Sequence, residues 1–330
     1  MRSDHSVRLR VAALALGGVL ALAACSGPSS AGTSNSGAAQ PTGDSGGLRV
    51  AVVTHGSAGD AFWSVVKNGA EAAGERLGVK VDYASDGDPG GQSRLIDNAV
   101  AQKVGGIVVS MANPQALKTS IENATKAGIP VITINSGESY SAEFGALMHV
   151  GQSEEIAGEG AGKRLKDAGK TKLLCVIQEA GNVGLNQRCD GAKAAFGTVQ
   201  TLQVDINNPT DVQSRIKGAV QSDTSIDAVL VLSSQVAPGA VRAVKDAGSK
   251  AQVATFDLNA DVVAAIKAGD VLFAVDQQQY EQGYLPIVFL KLYKDNANTV
   301  GGGHPVLTGP GFVDKSNVDV IAPYAEKGTR

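Results

Sequence analysis

Polar side chains that could carry chemistry stand directly after apolar runs of the sequence. Asn135 follows VITI and Asp257 follows VATF, while Ser110 and Ser234 stand at the ends of two further runs rich in valine, isoleucine and leucine. Continuous apolar runs are typical of buried parallel strands, and in open α/β sheets ligands bind beyond the carboxyl ends of such strands. The chemistry that amides, hydroxyls and a carboxylate offer there is hydrogen bonding to a polar solute.

Patterns for covalent or metal chemistry are weak in this chain. The segment Gly158–Lys163 (GEGAGK) has the wrong spacing for a phosphate-binding loop, because Ala157 stands where the first glycine is needed and Arg164 follows the lysine. Its small residues are typical of a helix that packs closely against a neighbour. The histidines stand far apart, and no Gly-x-Ser-x-Gly elbow occurs. We therefore expect no enzyme activity, no metal ion and no cofactor.

The amino terminus predicts export. Arg2, Arg8 and Arg10 precede an apolar stretch that is too short to span a membrane, which indicates a signal peptide over residues 1–24. The sequence Leu-Ala-Ala before Cys25 resembles the lipobox of bacterial lipoproteins, which implies a lipidated Cys25. An ordinary signal peptide that happens to precede a cysteine is the alternative. Residues 25–47 are rich in Ser, Gly, Ala, Pro and Thr and predict a flexible tether.

The other two cysteines, Cys175 and Cys189, belong to an exported chain, in which thiols tend to pair. Cys175 lies in an apolar run, LLCVIQ, and Cys189 falls on the helix predicted to follow it. We expect a disulfide between them, with two free buried thiols as the alternative.

Strand and helix patterns alternate from Leu48 onward. Apolar runs such as Leu48–Thr54, Gly106–Ser110, Val131–Asn135, Leu202–Ile206 and Val253–Asp257 are separated by amphipathic stretches. This alternation favours an α/β fold in which parallel sheets are covered by helices on both faces.

The chain also repeats itself. GAEAAGERLGVKVDY from Gly69 is echoed by GAKAAFGTVQTLQVD from Gly191, and the same offset, to within one residue, aligns Asn135 with Asp257. A constant offset predicts two similar lobes in tandem. Each polar residue after a strand could merely cap the next helix. A set that converges from both lobes favours ligand contact in a cleft.

The charge of the chain argues against a polyanionic partner. Its net charge is −3, and the lysines and arginines are scattered rather than clustered. A nucleic-acid-binding protein usually carries a basic patch. We therefore expect no nucleic acid partner.

Five segments, in their order and spacing, resemble the periplasmic type I sugar-binding proteins, the ribose-binding group among the solute-binding lipoproteins of bacterial ABC importers. The resemblance covers about residues 48–330. The segments are Phe62-Trp63, AGIPVITIN at Ala127–Asn135, Asn186-Gln187-Arg188, ATFDLN at Ala254–Asn259 and AVDQQQYEQGY at Ala274–Tyr284.

The resemblance implies a ligand site with assigned roles. Phe62 and Trp63 would stack on a sugar ring, Arg188 would donate to ring hydroxyls, Asp257 would accept from them, and Gln277 would lie where the chain crosses between lobes. The full set of implied ligand-binding residues is Asp60, Phe62, Trp63, Ser110, Asn135, Ser136, Arg188, Ser234, Asp257 and Gln277.

One departure bears on the ligand. Asn135-Ser136 stands where ribose-binding proteins carry Asp-Arg, so two charges are absent from that wall. A site without those partners cannot satisfy the same hydroxyl pattern, which puts ribose itself in doubt and leaves other sugars, cyclic polyols and furanosyl signals open.

The resemblance further implies a bilobal body with a three-stranded hinge. We expect an N-lobe of residues 48–151 plus 278–308 and a C-lobe of residues 152–277 plus 309–330. A monomer on the extracytoplasmic face of the membrane, held by its lipid alone, would capture a sugar or polyol by hinge closure and deliver it to an ABC permease. Presentation of the bound ligand to a membrane receptor is the alternative.

Overall fold

The described part of the chain contains two six-stranded sheets. The structure, a computed structural model, describes residues 47–57 and 59–330, so the predicted signal peptide, Cys25 and nearly all of the tether lie outside it. The strands of the first sheet are β1 (Arg49–Thr54), β2 (Lys80–Ser85), β3 (Gly106–Ser110), β4 (Val131–Ile134), β5 (Met148–Gln152) and β11 (Val306–Gly309). Their spatial order is β11-β5-β4-β3-β1-β2, and all of them run parallel.

The second sheet repeats this arrangement with one antiparallel edge. Its strands are β6 (Leu173–Ile177), β7 (Val199–Gln203), β8 (Ala228–Val231), β9 (Gln252–Phe256), β10 (Val271–Asp276) and β12 (Gly311–Asp314). The order is β12-β10-β9-β8-β6-β7, with β12 antiparallel to β10. The predicted α/β fold with two similar sheets is confirmed.

Helices connect the strands. They are α1 (Ala61–Leu77), α2 (Pro89–Ala101), α3 (Pro114–Lys126), α4 (Glu138–Ser141), α5 (Glu154–Asp167), α6 (Val183–Phe196), α7 (Pro209–Ser222), α8 (Ala237–Asp246), α9 (Ala260–Ala268), α10 (Gln279–Asn296) and α11 (Val318–Glu326). Their starts follow simple chemistry. The side chains of Asp88 and Asn113 accept hydrogen bonds from the first turns of α2 and α3, whose first helical positions are Pro89 and Pro114. None of the described helices is long and apolar enough to cross a membrane.

Each sheet is buried on both faces. In β1, Val50 and Val52 pack with side chains of α1 and α10, whereas Ala51 and Val53 pack on the opposite face with side chains of α2 and α3. Successive residues of a strand point to opposite faces, so a continuous apolar run is what a doubly covered strand requires.

Close helix pairs cover one face of each sheet. A Cβ added to Gly283 of α10 would collide with the carbonyl oxygen of Val66 in α1, and one added to Gly158 of α5 would collide with that of Arg188 in α6. Only glycine permits these approaches. The GEGAGK segment therefore belongs to a packed helix, as its small residues predicted.

The chain passes between the sheets three times, between β5 and β6, between β10 and β11, and between β11 and β12. We call the first sheet with its covering helices the N-lobe and the second the C-lobe. The residue boundaries given above for the lobes stay a prediction. One strand differs from expectation: β7 is Val199–Gln203 rather than Leu202–Ile206, and Ile206 lies in the following loop.

Candidate functional site

The loop between β1 and α1 supplies the aromatic wall of the cleft. Asp60 caps α1, since its Oδ1 accepts hydrogen bonds from the backbone N–H groups of Phe62 (2.8 Å) and Trp63 (3.3 Å). The rings of Phe62 and Trp63 meet edge to face with centroids 4.8 Å apart, and both are mostly buried. Burial raises the pKa of Asp60. Asp60 is thus a helix cap that also lines the cleft.

Asn135 and Asp257 occupy equivalent places in the two lobes. Each follows the last residue of a central strand, β4 or β9, and each has a left-handed backbone, with φ of 60° and 66°. Such a conformation is uncommon outside glycine and is best tolerated by Asn and Asp. The two residues that the repeat aligns therefore share the same backbone conformation and differ in their side chains.

Gln277 joins these two residues across the cleft floor. The Asn135 Nδ2 group donates to Gln277 Oε1 at 3.2 Å, and Gln277 Nε2 donates to Asp257 Oδ1 at 2.6 Å. Burial raises the pKa of Asp257 to about 7, although Arg188 and Gln277 act in the opposite direction. A buried carboxyl held this way can accept a hydrogen bond from a solute hydroxyl.

Arg188 is held by a buried carboxylate that sequence reasoning missed. Its Nε and Nη2 donate to Glu154 at 2.6 and 2.8 Å, and its Nη1 donates to the carbonyl oxygen of Leu232 at 3.1 Å. The guanidinium also lies 4.5 Å above the ring of Phe256. Because guanidinium has five N–H donors, two remain for a ligand. Glu154 itself accepts from Gln152, the last residue of β5.

The disulfide stands next to this arginine. Cys175 of β6 and Cys189 of α6 are bonded, with their Cα atoms 5.9 Å apart. The expected pairing is therefore present. It attaches α6, the helix that carries Arg188, to β6, an interior strand of the C-lobe sheet.

Two predicted ligand contacts lie away from the cavity. Ser110 is fully buried, and its Oγ bonds the backbone N–H (3.1 Å) and Nδ1 (2.7 Å) of His55. His55 therefore takes the position at the cavity wall that Ser110 was expected to hold. Burial lowers the pKa of His55, which keeps the ring neutral. In the C-lobe, Ser233 lines the cavity and its neighbour Ser234 does not.

Polar contacts join the two lobes directly across the cleft. Ser136 Oγ donates to Asn182 Oδ1 at 3.2 Å, and the backbone N–H of Val183 donates to the carbonyl oxygen of Ala112 at 3.0 Å. The two lobes therefore touch each other through these groups beside the cleft.

The space between the lobes, here called the main cavity, measures about 420 Å³. This is within the range of about 300–1,000 Å³ that is usual for small-molecule sites. Eight of the predicted residues line it: Asp60, Phe62, Trp63, Asn135, Ser136, Arg188, Asp257 and Gln277.

Further lining residues escaped the sequence reasoning, among them His55, Glu179 and Asn182. The repeat offered a signal for two of them, because Glu179 and Asn182 lie in the β6–α6 loop, the counterpart of the β1–α1 loop. Among the described residues, no cluster of three or more His, Cys, Asp or Glu side chains could hold a metal ion. The donors and acceptors of the cavity suit a hydroxyl-rich solute.

Comparison with known proteins agrees with this geometry. A model of the periplasmic binding protein domain matches residues 50–297. The chain belongs to the periplasmic binding protein family. The resemblance drawn from the sequence is confirmed, and so is the expectation of a solute-binding protein rather than an enzyme.

Individual relatives are known by structure and by sequence. A crystal structure of a carbohydrate transporter from Acidothermus cellulolyticus, in complex with myo-inositol, is 44% identical, covers 86% of this chain and 100% of that one, and superposes with a TM-score of 0.84. The ribose import binding protein RbsB of Haemophilus influenzae is 26% identical over 69% of this chain and 79% of its own length. The xylose/arabinose-binding protein XylF of Sulfolobus acidocaldarius is also 26% identical, and the match spans 60% of that protein's length.

Proposed function

We propose that the protein captures a ring-shaped sugar or cyclic polyol in the main cavity, on the extracytoplasmic side of the membrane, and delivers it to an ABC permease. The observation that carries this proposal is the pairing of two unlike walls. Phe62 and Trp63 offer an apolar edge from one lobe, while Arg188 and Asp257 offer a donor and an acceptor from the other. A ring with C–H groups on its faces and hydroxyls at its rim matches both walls.

The chemistry of the N-lobe wall at Asn135 and Ser136 favours a cyclic polyol such as myo-inositol as the first ligand to test. Asn135 and Ser136 are neutral, and their hydrogen bonds already join them to Gln277 and Asn182. A neutral hydroxyl ring needs no charged partner at this position. The 44% identical relative was crystallised with myo-inositol, which supports the choice.

Capture would work by hinge closure. A ligand that touches both walls has affinity for the closed form that it lacks for an open one, and this difference shifts the population. Polar contacts between the lobes, such as the hydrogen bond from Ser136 to Asn182, would add to the stability of the closed form. The closed body would then present a distinct surface to the permease.

Binding can be followed directly, because Trp63 is the only tryptophan of the chain and lies at the cavity. We expect myo-inositol, within a panel of monosaccharides and polyols, to change the tryptophan fluorescence and raise the melting temperature. Trp63→Phe keeps an aromatic ring and should still bind when measured by calorimetry, whereas Trp63→Ala should bind about tenfold more weakly. A panel without any binder would overturn the proposal.

The lipid anchor is a separate part of the proposal. A cell that makes the full chain with labelled palmitate should incorporate label, and Cys25→Ser should abolish the incorporation while the protein is still made. Equal labelling of the two forms would argue against lipidation at Cys25.

A further inference from the structure

A second cavity of about 290 Å³ lies beside the main one. The β1–α1 loop of the N-lobe forms one side of it through Ser57 and Asp60. Helix α8 of the C-lobe forms the other side through Gly239 and Arg242. Like the main cavity, it is therefore bounded by both lobes.

The two cavities share part of their lining. Ser57, Asp60, Ile206 and Asn207 border both spaces. They adjoin where the loop that follows β7 approaches the β1–α1 loop. The two cavities are therefore neighbours, and both are bounded by the two lobes.

The walls of the second cavity have mixed chemistry. Ile206, Val212 and Val236 supply apolar surface, and Asn207 and Arg242 supply hydrogen-bond donors. Among the described residues, Arg242 has no carboxylate within salt-bridge distance, so its guanidinium donors are available to oxygen atoms of a ligand. Apolar surface with polar groups at its border is what the faces and hydroxyls of a second ring require.

We propose that the second cavity binds a further sugar-sized ring, so that the ligand class is a glycosylated cyclic polyol or a disaccharide rather than a single ring. This inference rests on the proposed function, since it assumes a hydroxylated ring in the main cavity. It goes beyond that function by giving the solute a second unit and a place for it.

Gly239 provides the means to test the second cavity. It lies in α8, and a Cβ added there would meet only Val212 Cγ1, at an ordinary contact distance of 3.6 Å. A larger side chain at this position can be accommodated by the helix and would occupy the second cavity. Gly218 of the neighbouring α7 is a matched control, because a Cβ added to it meets nothing within 4 Å and it lines neither cavity.

The experiment is calorimetric titration of the full-length protein with two probes. One is myo-inositol, and the other is galactinol, in which a galactopyranosyl unit is attached to one hydroxyl of myo-inositol. We expect Gly239→Phe to weaken galactinol binding by about tenfold or more, because overlap with a bound ring must be relieved, and to leave myo-inositol binding unchanged. Gly218→Phe should alter neither affinity.

The outcomes separate this inference from the proposed function. If the wild-type protein binds myo-inositol but not galactinol, or if Gly239→Phe leaves galactinol affinity intact, the second subsite is wrong and the single-ring function stands. If neither probe nor any ring of the wider panel binds, both proposals fail. Retained myo-inositol binding proves that the variant is folded, and if Gly239→Phe does not fold, Gly239→Leu replaces it with the same expected selectivity.

Discussion

The N-lobe wall of the main cavity carries the aromatic rings of Phe62 and Trp63 together with polar side chains such as Asn135, whereas the C-lobe wall carries the buried guanidinium of Arg188 and the buried carboxyl of Asp257. The backbone beneath is the same, since Asn135 and Asp257 follow equivalent strands with nearly equal φ angles. A duplicated scaffold therefore repeats the position of a side chain and leaves its chemistry free to diverge. Under the proposed function, this difference would orient a ring solute with its faces toward Trp63 and its hydroxyls toward Asp257.

The largest expected difference between the lobes concerns their ion pairs. Glu154→Ala would leave Arg188 buried without its partner, which should lower the free energy of unfolding by about 3–5 kcal/mol. Asp82→Ala, which breaks the half-exposed pair with Arg49 in the N-lobe, should cost at most about 1 kcal/mol. Urea denaturation of both variants measures the contrast. Equal losses would show that burial does not distinguish the two pairs.

The disulfide is a second stabilising feature of the C-lobe. It closes a loop with a sequence separation of 14 residues in the C-lobe, for which the chain-entropy model gives about 3 kcal/mol. Replacement of both Cys175 and Cys189 by alanine should lower the free energy of unfolding by about this amount. Mass spectrometry of the wild-type protein without reductant should first find neither thiol free. A double variant as stable as the wild type would refute the stabilising role.

Ligand affinity should depend more on Asp257 than on Asn135. Loss of a hydrogen bond to a charged group costs about 1.5–3 kcal/mol and loss of a neutral one about 1 kcal/mol. Asp257→Ala should thus weaken myo-inositol binding more than Asn135→Ala does in calorimetric titration at a pH above 7, where the Asp257 carboxyl is ionised. Asp261→Ala, at an exposed position of the same lobe, is the control and should have no effect. A larger loss with Asn135→Ala would reverse the roles assigned to the two walls.

A further expected effect is a pH dependence of stability that only the C-lobe member of the pair, Asp257, can produce. The pKa of Asp257 is raised from 3.8 to about 7, so the folded protein retains a proton there that the unfolded chain has lost. This contribution to stability is fully present below pH 3.8 and is lost as the pH rises to about 7, by at most about 1.4 kcal/mol per pH unit.

The measurement is the difference in unfolding free energy between the wild type and Asp257→Asn across that range, because an amide does not titrate. The stability of the wild type relative to the variant should fall as the pH rises. A constant difference between pH 4 and pH 7 would show that Asp257 has an ordinary pKa.

Much of the fold could be predicted from the sequence. Each central strand is buried on both faces and is therefore a continuous run of apolar residues. The strands at the edges of the two sheets were harder to predict. β11 and β12 are four residues each and are separated only by Pro310, and their strand character comes from pairing with β5 and β10, far away in sequence. β7 is another edge, largely exposed, so its apolar pattern did not determine its position.

The residues of the candidate site were likewise predictable only where local sequence determines their position. Residues at strand ends or in a recognisable segment, such as Asp257 and Trp63, could be placed at the cleft from sequence. Glu154 could not, because its role depends on the approach of α5 to α6, which brings it to Arg188. Ser110 was misplaced because His55, from the neighbouring strand end, lies between it and the cavity. Packing of this kind is not encoded in local spacing.

The threefold crossing of the chain has a consequence for the order of synthesis. The N-lobe takes its last helix and strand, α10 and β11, from residues that follow β10 of the C-lobe. The ribosome therefore delivers five of the six C-lobe strands before the N-lobe can be completed. Gly69 and Gly283, which let α1 and α10 pack closely, come together only after strands β6 to β10 of the C-lobe have been made. Long-range closure of this kind slows folding, and it keeps the first lobe unfinished while the rest of the chain emerges.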